Sequence, residues 1–186
     1  QIALSCSSHC AEKFHVKELE SWLKKIRLHR NVLKCGIHNP LDKPSSDRLL
    51  FSGVKPNQIH NNCAGKHLAM LSSCKINKFN LDNYLDINHP HQVQIRKIFS
   101  EFSENNISKF QYGIDGCSAP QYAFRMKDLI VSLQNILKSL KNKFEYTKEI
   151  SLLINSISKN PYFIGGSKNH DSSLIHITKG EIFCKG

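Results

Sequence analysis

The sequence predicts a mixed α and β protein in which helices dominate. Two observations carry this expectation. Segments 16–26, 93–102 and 126–140 repeat apolar side chains every three or four residues, the interval that lines one face of a helix, and an apolar run, Leu68 to Leu71, follows Gly65. Three short stretches, at 2–6, near residue 112 and at 181–185, adjoin polar or glycine-containing turns and read as strands. The first and last strands are expected as neighbours, giving an α+β arrangement of helices on a mainly antiparallel sheet.

Taken in order, "IALSC" is expected as a short buried strand ending in the polar turn "SSHCAE". "HVKELESWLKKIRLHR" then sets Val16, Leu19, Trp22, Leu23 and Ile26 at helical spacing. "NVLKCGIHNPLDKPSSD", with a glycine and two prolines, is a loop that leads into a short helix over 46–52. Gly53 and Pro56 precede "HNNCAGKHLAM", which opens a helix over 65–74. After His89-Pro90 a further helix carries Val93, Ile95, Ile98, Phe99 and Phe102. "FQYGIDGCSAP" reads as a strand entering a tight turn, and the apolar positions of "FRMKDLIVSLQNILKSL" give a strongly amphipathic helix. "YTKEISLLINSIS" is another helix; "NPYFIGG" follows, and a strand over 181–185 closes the chain.

With 186 residues, 40% of them hydrophobic and 22% charged, the chain has the composition of a soluble globular protein. No apolar run reaches the ~18 residues that span a bilayer, so a membrane is not an expected partner. The opening residues lack the basic and apolar regions of a secretory signal. A formal charge of +11 raises the question of nucleic acid. Only five of the 26 basic residues are arginine, and they are scattered, so a solvated lysine surface is the expectation instead. Seven cysteines without a secretory signal or a Cys-x-x-Cys pair point to a reducing, cytoplasmic compartment, with thiols reduced or metal-bound. The absent initiator methionine and the abrupt "EIFCKG" ending lead us to expect one region, 1–186, cut at both ends.

Three polar turns carry the chemistry. Gly65-Lys66 is not a phosphate loop, because His60 and His67 stand where that motif needs glycine and a hydroxyl residue. Cys63 and His67, four apart, share a helical face and have zinc-compatible chemistry, although such a pair alone is more often structural. A nucleophilic Cys63 beside Lys66 and His67 at a helix start is a third option, against which the sequence names no separate orienting partner. "SCSSHCAE" gathers Ser5, Ser7, Ser8, His9 and Glu12, and "GIDGCSAP" gathers Asp115 and Cys117, both after expected strands. Each turn alone reads as capping; three in one short chain favour a site.

The stretches "SSHCAE", "HNNCAGKH" and "GIDGCSAP", about 55 residues apart, resemble the Rhizobium-type L-asparaginases, the asparaginase II family with a serine-β-lactamase-like fold. "YLDINHPHQ", "NPYFIGG" and "GEIFCKG" extend the resemblance over the whole chain. It implies hydrolysis of L-asparagine to L-aspartate and ammonia, with L-glutamine as an alternative substrate. The family's Ser-His motif falls on Ser8 and His9, and its second catalytic lysine on Lys185. Its zinc ligands fall on Cys63, Lys66 and Cys117, which makes Zn²⁺ the expected cofactor; His67, Asp115 and His9 would contact substrate or orient ligands. The family's primary Ser-x-x-Lys pair lies ahead of the first expected strand, at positions this sequence does not include. Cys10 and Ala11 stand where small residues are usual. The resemblance leaves a homodimer open. The competing class is a non-catalytic zinc-binding or decayed relative.

Overall fold

The structure is a computed structural model that describes residues 1–141 and 143–184. In chain order its regular elements are α1 (Ile2–Ser5), α2 (Lys13–Lys25), α3 (Lys43–Phe51), α4 (Ala64–Ile76), α5 (Pro90–Ser103), β1 (Tyr112–Ile114), β2 (Pro120–Tyr122), α6 (Met126–Leu140), α7 (Thr147–Lys159) and α8 (His170–Ile177). The protein is thus mixed α and β, with one small antiparallel sheet among the described residues. It forms two compact units, Gln1–Ser72 with the segment from Ile154 onward, and Ser73–Leu153.

The first unit closes around Leu4, Leu19, Ile59, Leu68, Leu71 and Ile175, all essentially inaccessible to solvent. Helix α2 starts at a reciprocal cap: the Glu12 side chain accepts the His15 amide, and His15 Nδ1 accepts the Glu12 amide at 3.2 Å. Its inward face, His15, Leu19, Trp22 and Leu23, follows helical spacing, and Trp22 Nε1 donates to Ser72 Oγ at 3.0 Å. Helix α3 begins at Lys43, ahead of the expected 46, because Asp42 caps it by accepting the Ser45 amide at 2.9 Å.

Both terminal strands need correction. Residues 2–5 form one helical turn instead. A three-residue apolar run cannot distinguish strand from helix by its period. Here Ser5 Oγ and Ser7 Oγ donate to the carbonyls of Ile2 and Leu4 at 2.6 and 2.7 Å and favour the turn. Residues 181–184 are irregular, and Lys185 lies outside the described residues. The expected pairing of first and last strands is therefore not formed among the described residues. Helix α8, which the sequence did not lead us to expect, is capped by Asn169, whose side chain accepts the amides of Asp171 and Ser172.

In the second unit β1 and β2 pair with Tyr112 opposite Tyr122 and Ile114 opposite Pro120, as the strand-and-turn reading of "FQYGIDGCSAP" anticipates. Helices α5 and α6 pack together. The strong amphipathicity of α6 is inverted: Asp128, Ser132, Asn135 and Ser139 are buried, while Met126, Ile130, Leu133 and Leu137 are exposed. The buried polar face is satisfied. Asn135 Nδ2 donates to Phe102 O and Glu104 Oε1 at 2.9 Å each, and Ser139 Oγ is 2.9 Å from Asn135 O and 2.8 Å from Glu145 O.

Candidate active site

Ser8 is placed by its backbone. Its amide donates to Ile164 O at 2.8 Å, the His9 amide to Asn62 O at 3.1 Å and the Cys10 amide to Gly165 O at 3.0 Å. Cys10 O accepts the Asp42 amide at 2.9 Å. Three sequence-distant segments thus hold residues 8–10 as a rigid strap. The amides of Gly165 and Gly166 both reach the buried Ser172 hydroxyl, at 3.1 and 3.3 Å, so this glycine turn is scaffold, with its donors already committed.

The Ser8 hydroxyl oxygen accepts Asn62 Nδ2 at 2.9 Å. Asn62 is itself fixed: its amide donates to His38 Nε2 at 3.0 Å, while His38 Nδ1 lies 2.6 Å from Asn39 O. His38 Nε2 also lies 3.2 Å from Asn62 Oδ1, so this ring meets both the backbone and the side chain of Asn62. The Ser8 hydroxyl hydrogen has no acceptor among the described residues and is available to a ligand.

Ser8 faces a cavity of about 370 Å³ whose walls include Glu12, Asp42, Lys43, Gly165 and Lys168. Most of its charges are engaged. Asp42 accepts from Ser45, Lys43 pairs with Asp47, and Glu12 accepts the Ser167 amide at 3.1 Å and its hydroxyl at 2.5 Å. Exposed Lys168 has no ion partner among the described residues, and supplies a cation to the cavity without a competing carboxylate.

Burial favours the neutral form of His9, His15 and His60 around this strap. His9 is wholly buried, and burial, reinforced by His15, His38 and His60, holds its pKa down to about 3. Its Nδ1 accepts the Ala11 amide at 3.2 Å, so the proton sits on Nε2, which meets no partner among the described residues. Burial likewise lowers His15 and His60.

The half-buried Ser8, with its fixed amide donor, thus shares its cavity with an unengaged cation. The sequence profile of the L-asparaginase II family matches residues 1–186. The chain belongs to the L-asparaginase II family. No match was found among curated proteins.

The positions carried over from the asparaginase II motifs fall as follows. Ser8 lines the cavity; His9 does not, being enclosed behind the strap. Cys63, half-buried, directly precedes α4, its amide donating to Asn61 Oδ1 at 2.9 Å. Lys66 and the wholly buried His67 follow in the first turn of that helix, with the His67 amide donating to Cys63 O at 3.1 Å. In the second unit, Asp115 and Cys117 belong to the β1–β2 turn, where the buried Cys117 Sγ donates to Asp115 Oδ2 at 3.4 Å. Lys185 lies outside the described residues. Sequence reasoning missed Asn62 and Lys168. The "HNNC" and "GGSKN" stretches held their signal: a side-chain amide beside the motif cysteine and a lysine after the glycine turn. No described helix is long and apolar enough to cross a membrane.

Proposed function

We propose that this chain serves an L-asparagine amidohydrolase, converting L-asparagine and water to L-aspartate and ammonia by a Ser/Lys mechanism on a serine-β-lactamase-like scaffold. The observation that carries the reading is Ser8 at the cavity wall, its oxygen held by Asn62 and its proton uncommitted among the described residues. A zwitterionic amino acid needs a cation for its carboxylate, and Lys168 is placed to offer one. Ser8 orients the side-chain amide and passes a proton to the leaving nitrogen; family correspondence gives Lys185 the role of its basic partner. The attacking hydroxyl belongs to the Ser-x-x-Lys pair that the family carries ahead of the segment matching Ile2.

In the same proposal Cys63, Lys66 and Cys117 hold Zn²⁺. Two thiolates and an amine suit this cation, and the Cys117 thiol donates a hydrogen bond to the Asp115 carboxylate. Bound zinc would supply positive charge that polarises a carbonyl.

Ammonia release from L-asparagine, and from L-glutamine, by the protein with its natural flanking sequence tests the reading. Ser8→Ala should lower kcat by about 100-fold or more, as loss of a proton-transfer group does. Residues 1–186 alone should be far slower. Undiminished turnover in Ser8→Ala would refute the assigned role; no turnover in the extended protein would favour a non-catalytic zinc-binding relative.

A further inference from the structure

The strap that positions Ser8 continues into a cluster with a different chemistry. One donor atom from each of Cys10, Glu12 and His15 lies within 4.8 Å of the other two. Cys10 and Glu12 are half-buried and line the Ser8 cavity; His15 is wholly buried. Thiolate, carboxylate and imidazole are the three ligand types that zinc takes, at about 2.0–2.3 Å, which sets tetrahedral donor atoms about 3.5 Å apart. Movement of about 1 Å by half-buried side chains closes that gap.

His15 and Glu12 are prepared for such a role, whereas burial and the Glu12 charge push the Cys10 thiol up to about 11, so that a bound cation must displace its proton. His15 Nε2 lies 3.0 Å from Tyr162 O. A ring nitrogen facing a carbonyl carries the proton, which leaves the lone pair on Nδ1, and a backbone carbonyl on the far nitrogen is the usual support of a metal-bound histidine. Glu12 accepts three hydrogen bonds, from the His15 amide and from the amide and hydroxyl of Ser167. A carboxylate has about four acceptor positions, so one remains. The Cys10 sulfur occupies space that only a glycine opposite leaves open: a Cβ on Gly166 would lie 2.3 Å from it. Helix capping accounts for Glu12 and His15 but requires nothing of Cys10.

We infer that Cys10 Sγ, a Glu12 carboxylate oxygen and His15 Nδ1 form a binding site for one thiophilic divalent cation, Zn²⁺ by its donor set, with the remaining coordination position open to the Ser8 cavity. Binding transfers the Cys10 thiol proton to solvent and takes the Nδ1 lone pair from the Glu12 amide, whose 3.2 Å contact is long and cheap to surrender. This site is separate from the Cys63, Lys66 and Cys117 set and does not rest on it.

The test is titration of metal-stripped protein with Co²⁺, a spectroscopic substitute for zinc, in the parent chain, Cys10→Ser and Cys63→Ser/Cys117→Ser. Cys10→Ser should bind one equivalent fewer than the parent, and the double variant should keep an equivalent with thiolate-to-cobalt absorption. Binding in the parent that Cys10→Ser abolishes and the double variant retains would support this site while refuting the zinc assignment under the proposed function. Equal binding by parent and Cys10→Ser would overturn the inference. A second measurement needs no variant: Co²⁺ should slow iodoacetamide alkylation of Cys10 at least tenfold by site-resolved mass spectrometry. An unchanged rate would overturn the inference as well.

Discussion

Gly65→Ala tests whether the approach of α4 to α1 sets the frame for Ser8. A Cβ at Gly65 would lie 2.0 Å from Leu4 O, 2.8 Å from Leu4 C and 3.1 Å from Ser7 Oγ. The first two obstacles are backbone, so no rotamer change relieves them; even the 3.0 Å lower limit of real contacts demands a retreat of about 1 Å. That retreat disturbs a wholly buried Leu4 and the Ser7–Leu4 hydrogen bonds immediately before Ser8. Overpacking of this kind costs about 3 kcal/mol at the upper end of its usual range, and alanine returns about 1 kcal/mol through helix propensity. The net loss is about 2 kcal/mol, or a Tm lower by roughly 4–8 °C for a chain of this size. Thermal unfolding followed by circular dichroism measures it, with Gly116→Ala as the control, since a Cβ there meets nothing within 4 Å. A Gly65→Ala protein as stable as the parent would refute the close approach, and with it the explanation of why glycine follows Cys63-Ala64.

Lys168→Ala should raise KM for L-asparagine about tenfold with little change in kcat, the low end for a charged hydrogen bond at an exposed site; steady-state ammonia release reads both, and an unaltered KM would remove Lys168 from the substrate carboxylate. Acid should destabilise the first unit early. The unfolded chain protonates His9 near 6.5, whereas the folded chain resists until about 3, so stability is full above 6.5 and falls as pH drops through that window. His9 alone accounts for about 1.4 kcal/mol per pH unit there, and buried His15 and His60 act in the same direction; urea midpoints between pH 7 and 4 should show the decline, and His9→Gln should flatten it. Ile130→Lys and Leu137→Lys should each change stability by no more than about 0.5 kcal/mol, because those positions already face solvent. A loss of several kcal/mol would show that the apolar side of α6 is covered.

Most helices were legible because their signals are local: α2, α5, α6 and α7 fall where the apolar positions place them, and α4 where an apolar run follows Gly65. The misread first strand has a clear cause. Short apolar runs such as residues 2–4 have no period, and side-chain hydroxyls, invisible to a hydropathy pattern, settled their conformation. Helix α8 was missed because its signal is a single Asn169 cap and an Asp171 in the first turn. Periodicity also located α6 without telling which face turns inward; the inward side is the hydrogen-bonded one of Asp128, Ser132, Asn135 and Ser139. At the site, motif residues announced Ser8, whereas Asn62 and Lys168 depend on contacts between segments far apart in sequence.

Cys10 and Ala11, the two residues that follow Ser8-His9, are intelligible through that same strap. Ala11 adopts φ 62°, a left-handed conformation that costs a residue with a Cβ about 1–2 kcal/mol and glycine almost nothing. Its methyl group is buried, however, which returns about 0.8 kcal/mol of hydrophobic stabilisation. Alanine also leaves less backbone entropy in the unfolded chain than glycine would, worth about 0.4–1 kcal/mol. The terms nearly cancel, so a glycine-like bend survives with alanine in it. Cys10 is tolerated for a reason outside its own segment. Gly166, at φ +130°, has a conformation that side chains rarely adopt, and its missing Cβ is the room the sulfur takes. Position 10 can therefore change its chemistry without moving Ser8, because the strap is fixed by backbone hydrogen bonds to Ile164, Gly165 and Asp42. A thiol at position 10 thereby gains Glu12 and His15 as neighbours while the serine two residues earlier keeps its place.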